Sequence, residues 1–261
     1  MVKPLIAQDR NFDDLAERFS RNIQNSLKGK IRYAVVQRDL RDSVPQLWGD
    51  QRLSVLDAGG GLGAFALDLA RRGHQLTYCD ISGKMLDLAR QQAQDQRLAD
   101  QIGFFHEPVQ TLLGRTRDFD VVLFHAVLEW LASPWTVLDQ ILDALLPGAK
   151  LSLLFYNERS IVFRNLLRGN FFQAMAENLS GDRGSLTPMH PLDPDEVRGR
   201  IQVHPVKLLC ESGVRTFFDY GEKQRLAQRT AEQVIEMELR FSRERPYRDL
   251  ARYYHVVIEK Q

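Results

Sequence analysis

The stretch Val55-Leu56-Asp57-Ala58-Gly59-Gly60-Gly61-Leu62-Gly63 most constrains how this chain can fold. An apolar run that breaks into glycine reads as a buried strand that turns sharply and restarts as a helix, leaving bare backbone N–H groups at the turn. A second apolar run ends at Asp80, about 20 residues on, where a carboxylate can grip the hydroxyls of a ribose. Together these describe a nucleoside-cofactor site. Gly59, Gly61 and Ala64 also satisfy the dinucleotide pattern G-x-G-x-x-[GA], so the glycines alone fit both a nicotinamide dinucleotide and S-adenosylmethionine. Asp57 helps to separate them. A carboxylate two residues before the first glycine would repel a pyrophosphate, whereas it would welcome the ammonium group of a methionine moiety.

The α/β rhythm continues along the chain. Residues 53–58, 75–80, 102–106, 120–125 and 151–156 read as strands, with helices over 64–72, 83–95 and 134–145 and a Pro147-Gly148 turn. After residue 157 the rhythm breaks, with glycines and prolines between short helical stretches. It resumes as a strand over 206–210, a long charged helix over 222–243 and a last strand over 253–259. Phe12, Leu15 and Phe19 mark an N-terminal amphipathic helix with Asn11 or Asp9 as its cap, and a second helix follows Gly29. The expectation is an α/β fold with a doubly wound, seven-stranded, Rossmann-like methyltransferase sheet. It would form a single domain: an N-terminal helical cap over 9–47, a core over 52–157 and 194–261, and an insertion over 158–193 after the fifth strand.

At 261 residues and 44% hydrophobic composition, the chain can bury one core and a modest insertion. A net charge of +1 excludes a polyelectrolyte binder but permits local basic patches. Cys79 and Cys210 lack metal-type spacing, so neither a zinc site nor a disulfide framework is expected. No signal-peptide core or membrane span is evident, and a reducing cytoplasm is the expected setting.

Several strand ends carry candidate cofactor contacts. Gly59, Gly60 and Gly61 would approach the methionine part through backbone, with Asp57 near its ammonium and Asp80 on the ribose. After the third strand, the backbone of Val109 and the amide of Gln110 could read an adenine edge. His125 ends the fourth strand facing the same cleft. Each has a plainer reading: a glycine turn, a helix cap at Asp80, a satisfied buried histidine at His125.

Three segments are more particular: Phe124-His125-Ala126-Val127-Leu128-Glu129-Trp130, Leu151-Ser152-Leu153-Leu154-Phe155-Tyr156-Asn157 and Gly213-Val214-Arg215-Thr216-Phe217-Phe218-Asp219-Tyr220. With Gln8-Asp9-Arg10-Asn11-Phe12-Asp13-Asp14 at the start, the chain resembles the bacterial tRNA 5-carboxymethoxyuridine methyltransferases over nearly its whole length. The resemblance implies S-adenosylmethionine as cofactor and a tRNA anticodon loop as partner. The implied reaction converts the carboxylate of a 5-carboxymethoxyuridine at the wobble position into its methyl ester. It further implies that Arg32 pairs with the methionine carboxylate, beside Gly59, Gly60, Asp80, Val109, Gln110 and His125. Two departures are visible: residues 177–183 are nearly neutral where the family carries a lysine-rich run, and His204-Pro205 replaces a Gly-aromatic turn.

A carboxylate acceptor is already ionised at neutral pH, so no general base and no catalytic side chain is expected, only positioning. Tyr156, Asn157 and Arg215 are the candidate substrate contacts, Arg215 able to fork a carboxylate or phosphate. For RNA, residues 18–41 carry seven basic residues (Arg18, Arg21, Lys28, Lys30, Arg32, Arg38, Arg41) against the single acid Asp39. Arg159, Arg164, Arg168, Arg240, Arg243, Arg245 and Arg248 add to these, and Tyr33, Phe171 and Phe172 could stack on splayed bases. Two rivals stay open at this level: a methyltransferase of a small carboxylic acid, and a nicotinamide-dependent oxidoreductase or nucleotide-binding module.

Overall fold

Among the described residues seven strands form one sheet, and only the last strand in sequence runs against its neighbours. The structure is a computed structural model, and it describes residues 8–14, 26–176, 179, 181 and 188–261. The strands are β1 Ser54–Ala58, β2 Gln75–Cys79, β3 Ile102–Phe105, β4 Val121–His125, β5 Lys150–Tyr156, β6 Val206–Val214 and β7 Tyr253–Lys260. They lie in the order β3-β2-β1-β4-β5-β7-β6, which reverses between β1 and β4 and places a crevice at the carboxyl edge of these strands.

Alternation along the strands divides the core between the two faces. Val55, Leu76, Tyr78, Leu123, Leu154 and Val257 pack beneath α1 (Leu27–Ser43), α2 (Ala64–Arg71) and α3 (Gly83–Asp95). Leu56, Val122, Phe124, Leu153 and Phe155 pack against α4 (Val109–Leu113), α5 (Pro134–Ala144) and, further along, α8 (Pro194–Gln202). Between β5 and α8 lie α6 (Glu158–Leu167) and the single turn α7 (Phe171–Ala174), over residues the sequence marks as an insertion.

Two expectations change, and the helix expected on Phe12, Leu15 and Phe19 lies largely outside the described residues. Asp9 and Asn11 serve other ends: Asp9 Oδ1 accepts from the Ala132 N–H at 2.8 Å, and Asn11 Nδ2 donates to the Ile81 carbonyl at 3.0 Å. The long helix over 222–243 is two, α9 (Lys223–Leu226) and α10 (Ala231–Phe241), because Thr230 and Gln233 form a capping box that starts a new helix. The sixth strand runs four residues beyond Cys210, past a register shift at Leu208/Cys210. Its polar end hides in the sequence because Ser212 hydrogen-bonds Asp39 and Glu211 pairs with Arg198 and Arg248.

Candidate active site

The crevice deepens into a cavity of about 550 Å³ whose floor is the glycine loop after β1. Gly59, Gly61 and Gly63 sit at φ of 67°, 57° and 70°, where a side chain is strained. Gly60 is bare for a different reason. A Cβ there would stand 2.5 Å from Tyr78 Cε2 and 2.8 Å from Asp57 Oδ2. Asp80 ties the loop to the next helix: its Oδ2 accepts from the Gly61 N–H at 3.0 Å and its Oδ1 from the Ser82 N–H at 2.8 Å. Burial raises the Asp80 carboxyl despite these two bonds.

Asp57 is buried on the strand beneath. Burial, and then the neighbouring charge of Asp80, push its carboxyl up to about 7. Two neighbouring acids, Asp57 buried and Asp80 partly so, call for a cation. Two further polar atoms of the cavity lining, Gln110 Oε1 and His125 Nδ1, are buried with no hydrogen-bond partner among the described residues. S-adenosylmethionine fits this donor set: a cationic end for Asp57, a ribose diol for Asp80 and an adenine amino group for the bare Gln110 oxygen. All nine residues expected at the cofactor (Arg32, Asp57, Gly59, Gly60, Gly61, Asp80, Val109, Gln110, His125) line this one cavity.

Aromatic side chains wall it. Tyr33 stacks on Phe65 (centroids 4.8 Å apart), Phe65 meets the His125 ring edge-on at 5.2 Å, and the Arg32 guanidinium lies 4.5 Å over Tyr253. Phe12 meets Trp130 edge-on at 4.8 Å, so residues 9–13 strap the opening from the β4 side to the start of α3. Sequence reasoning did not single out Phe65 or Tyr253, and met Trp130 only within a family-like segment. Register could have found Tyr253: it pairs with Tyr156, the last residue of β5. Glu129 was noticed only within a family-like segment. It is fully buried near Arg32, and burial pushes its carboxyl up to about 7.

The three residues expected at the substrate do not line this cavity. Asn157 caps α6: its Oδ1 accepts from the Arg159 N–H at 3.0 Å, and its Nδ2 donates to the Asp249 and Ala251 carbonyls, both at 2.9 Å. Both amide hydrogens are spent on the fold. Tyr156 and Arg215 do not line the cavity; they sit behind Tyr253, the Tyr156 ring at 5.2 Å and the Arg215 guanidinium at 5.7 Å from it. Antiparallel pairing of β5 with β7 causes this, because it lays Tyr253 beside Tyr156. Arg215 Nη2 pairs with Asp219 at 2.5 Å, while its Nε and the Tyr156 hydroxyl are buried with no partner among the described residues. Arg252 lies 4.8 Å over Tyr156, and Arg164 is also charge-coupled to it. The cations on the cavity wall itself are Arg10, Lys30 and Arg32.

The methyltransferase-domain family matches residues 56–153, the cofactor half of the sheet. Over 97% of this chain, and 97% of its own length, the tRNA 5-carboxymethoxyuridine methyltransferase of Escherichia coli (strain K12) is 41% identical. This chain belongs to that family. It is accordingly a methyltransferase that uses S-adenosylmethionine. The ubiquinone biosynthesis O-methyltransferase of Psychrobacter cryohalolentis is 33% identical over 112 residues, only 42% of this chain and 44% of that protein. Among solved structures, magnesium protoporphyrin IX methyltransferase from Synechocystis PCC 6803 with bound SAH superposes with a TM-score of 0.61 at 16% identity, covering 96% of both chains. That likeness is one of fold.

Within this family member, five of the expected RNA-facing arginines pair with acids of the fold, while Arg243 and Arg245 among them stay exposed. Arg38 donates to Asp39, Ser212, Ser242 and the Leu239 carbonyl, and Arg243 pairs with Asp39 and Asp42. Arg159 pairs with Asp193 and Asp195, Arg245 with Asp249, and Arg248 with Glu211 and Asp249. Arg41 lies over the Trp48 ring at 5.3 Å and Arg240 over Phe241 at 5.9 Å. Tyr33, expected to stack on RNA, walls the cofactor cavity instead. Arg18 and Arg21 fall outside the described residues. Phe171 and Phe172 remain open to solvent, 60% and 87% exposed, beside exposed Leu167 and Met175. No described helix is long and apolar enough to cross a membrane.

Proposed function

We propose that this enzyme transfers the methyl group of S-adenosylmethionine to the carboxylate of 5-carboxymethoxyuridine at the wobble position of a tRNA anticodon loop, giving the methyl ester. The observation that carries the reading is the extent of the likeness. The quinone methyltransferase match stops at 42% of the chain, whereas the tRNA methyltransferase match extends over 97%. It therefore includes α1, the β5–α8 segment and the last strands, which build the acceptor side. A small-acid methyltransferase need share only the cofactor half.

When bound, S-adenosylmethionine supplies an electrophilic methyl on a sulfonium. Every other requirement falls to the chain. Asp80 would hold the ribose, Gln110 and the Val109 backbone the adenine, and Asp57 with Arg32 the charged methionine end. An ionised carboxylate needs no proton removed, so what remains is alignment of oxygen, carbon and sulfur at ~3 to 3.5 Å. The acceptor acid would enter along the Tyr253 wall. Arg164, Arg215 and Arg252 gather behind that ring around Tyr156, so a positive field favours an acid there without gripping both oxygens. A tight bidentate grip would stabilise the ground state and slow attack. The exposed Phe171–Phe172 pair, one short loop beyond Arg164 and Arg168, supports base stacking for the loop nucleotides.

The deciding experiment incubates the purified protein and S-adenosylmethionine with tRNA carrying 5-carboxymethoxyuridine, then digests the tRNA to nucleosides. Mass spectrometry should show the methyl ester, and tRNA with an unmodified wobble uridine should gain no methyl group. Turnover of free carboxylic acids with no methyl ester in tRNA would overturn the reading.

A further inference from the structure

Four side chains from four elements form a hydrogen-bonded line that ends at the cavity. Asp39 of α1 is fully buried, and its Oδ2 lies 2.8 Å from His255 Nδ1. His255 Nε2 lies 2.8 Å from Ser152 Oγ, which lies 2.8 Å from His125 Nε2. The sheet register builds this line. Leu154 pairs with His255 on one side and with His125 on the other, and Ser152 stands two residues back on the same face. At the end, His125 Nδ1 is buried without a partner among the described residues, on a ring that lines the cofactor cavity.

Asp39 sets the hydrogens. Burial alone would raise its carboxyl, but the hydrogen bond from His255, the Arg38 charge and the hydrogen bond from Arg243 hold it below the usual carboxylate range. A carboxylate only accepts, so His255 Nδ1 carries a hydrogen. Asp39 Oδ1 already receives Arg38 Nη2 and Arg243 Nη2, each at 2.8 Å. A third cation on His255 would have no counter-charge of its own in a buried site, so that ring is neutral and its Nε2 accepts the Ser152 O–H. Ser152 Oγ then accepts from His125 Nε2–H. Burial first, and then the Arg32 cation, hold the His125 imidazole well below its ordinary range, so it carries this one hydrogen and its Nδ1 is bare. Cys210 lies within 4.8 Å of the same Asp39 and His255 atoms, but both Asp39 oxygens already accept from N–H donors, which describes a proton line rather than a cation cage.

We propose that Asp39, His255 and Ser152 are positioning residues that lock His125 in its Nε2–H form, so that Nδ1 presents a fixed lone pair to the ammonium group of the methyl donor. The proposal rests on the reading that the cavity takes the methionine end of S-adenosylmethionine near Arg32 and His125. A histidine free to exchange tautomers would offer that ammonium a donor for part of the time.

Long-range proton–nitrogen spectra of the ligand-free protein read the tautomer directly, with the His125 signals identified by their loss in His125→Asn. The expected result is a neutral Nε2–H ring that becomes a mixture of tautomers in Ser152→Ala, and likewise in the isosteric Asp39→Asn. Calorimetry should then show S-adenosylhomocysteine binding Ser152→Ala about tenfold more weakly than the parent. An analogue lacking the amino group should bind both proteins equally. A parent ring found as Nδ1–H or as imidazolium overturns the proposal, as does an unchanged tautomer in Ser152→Ala or an equal loss for the deaminated analogue. Should the Nε2–H ring be present and S-adenosylhomocysteine fail to bind the parent, the placement of the cofactor is what falls, and the assigned ligand with it.

Discussion

Arg32 stacks on Tyr253, its guanidinium carbon 4.5 Å from the ring centroid, and this contact joins α1 to the first residue of β7 at the cavity wall. The stack orients the guanidinium so that its N–H edge can reach a carboxylate. Arg32→Ala should weaken S-adenosylhomocysteine binding about 10- to 100-fold, the range of a lost charged hydrogen bond. Arg32→Lys should recover only part of it, since an ammonium keeps the charge and loses the planar fork. Calorimetry on the three proteins checks this, and an unchanged Kd in Arg32→Ala would place the methionine carboxylate elsewhere.

Gly60 differs from its neighbours in that space, not backbone angle, excludes a side chain: Tyr78 Cε2 and Asp57 Oδ2 stand 2.5 and 2.8 Å from where a Cβ would be. Both neighbours are held, Tyr78 by its hydroxyl bond to the Gly61 carbonyl at 2.5 Å. Gly60→Ala should therefore push the loop into the cavity, abolishing measurable cofactor binding and costing about 1 to 3 kcal/mol of stability, as overpacking typically does. Thermal unfolding and S-adenosylhomocysteine titration measure the two effects separately. Gly73→Ala makes a useful control, since nothing lies within 4 Å of its Cβ position but its φ of 91° still strains a side chain; it should lose stability and keep the ligand.

These two sites differ in how they could be read beforehand. The glycine loop, Asp57 and Asp80 were legible because strand, turn and acid are local in sequence and the chemistry constrains their spacing. Gln110 and His125 were legible as strand-end residues. That Tyr156, Asn157 and Arg215 stand outside the cavity was not legible, because their positions depend on how β7 returns antiparallel to β5, a pairing that covers Tyr156 with Tyr253 and gives the Asn157 amide to the carbonyls at 249 and 251. The acid partners within the basic windows stayed hidden for a related reason. Arg38 and Arg243 lie 205 positions apart in sequence, yet both are drawn to the buried Asp39, and charge counted along the chain cannot see that partner.

Asp57 makes cofactor affinity depend on pH. Its carboxyl is raised to about 7 in the ligand-free fold by burial and by Asp80, so the folded state holds this proton more tightly than the unfolded chain does. Its contribution to stability therefore falls as pH rises from about 4 to about 7. A cationic ligand prefers the ionised form, so binding should release a proton below pH 7 and the Kd for S-adenosylmethionine should tighten up to about tenfold per pH unit before levelling off. Glu129 is raised into the same window by burial, so Asp57→Asn is needed to assign the slope. Calorimetry from pH 5.5 to 8 should show a steep profile in the parent and a shallow one in Asp57→Asn.

Phe172 is 87% exposed and Phe171 60%, an unusual amount of ring surface to leave in water at the corner between α6 and α7. Bases of an unpaired RNA loop stack on such rings, each worth about 1 to 3 kcal/mol. Phe172→Ala should raise the KM for tRNA about tenfold or more while leaving S-adenosylhomocysteine affinity unchanged, because the ring does not line the cofactor cavity. Arg168→Glu acts through the phosphates instead: it should weaken tRNA binding for every sequence and make the salt dependence shallower by about one unit of log K per log salt. Filter binding of anticodon-loop RNA over a salt series distinguishes them. A Phe172→Ala variant that binds tRNA as tightly as the parent would move the RNA-binding face away from this corner of the molecule.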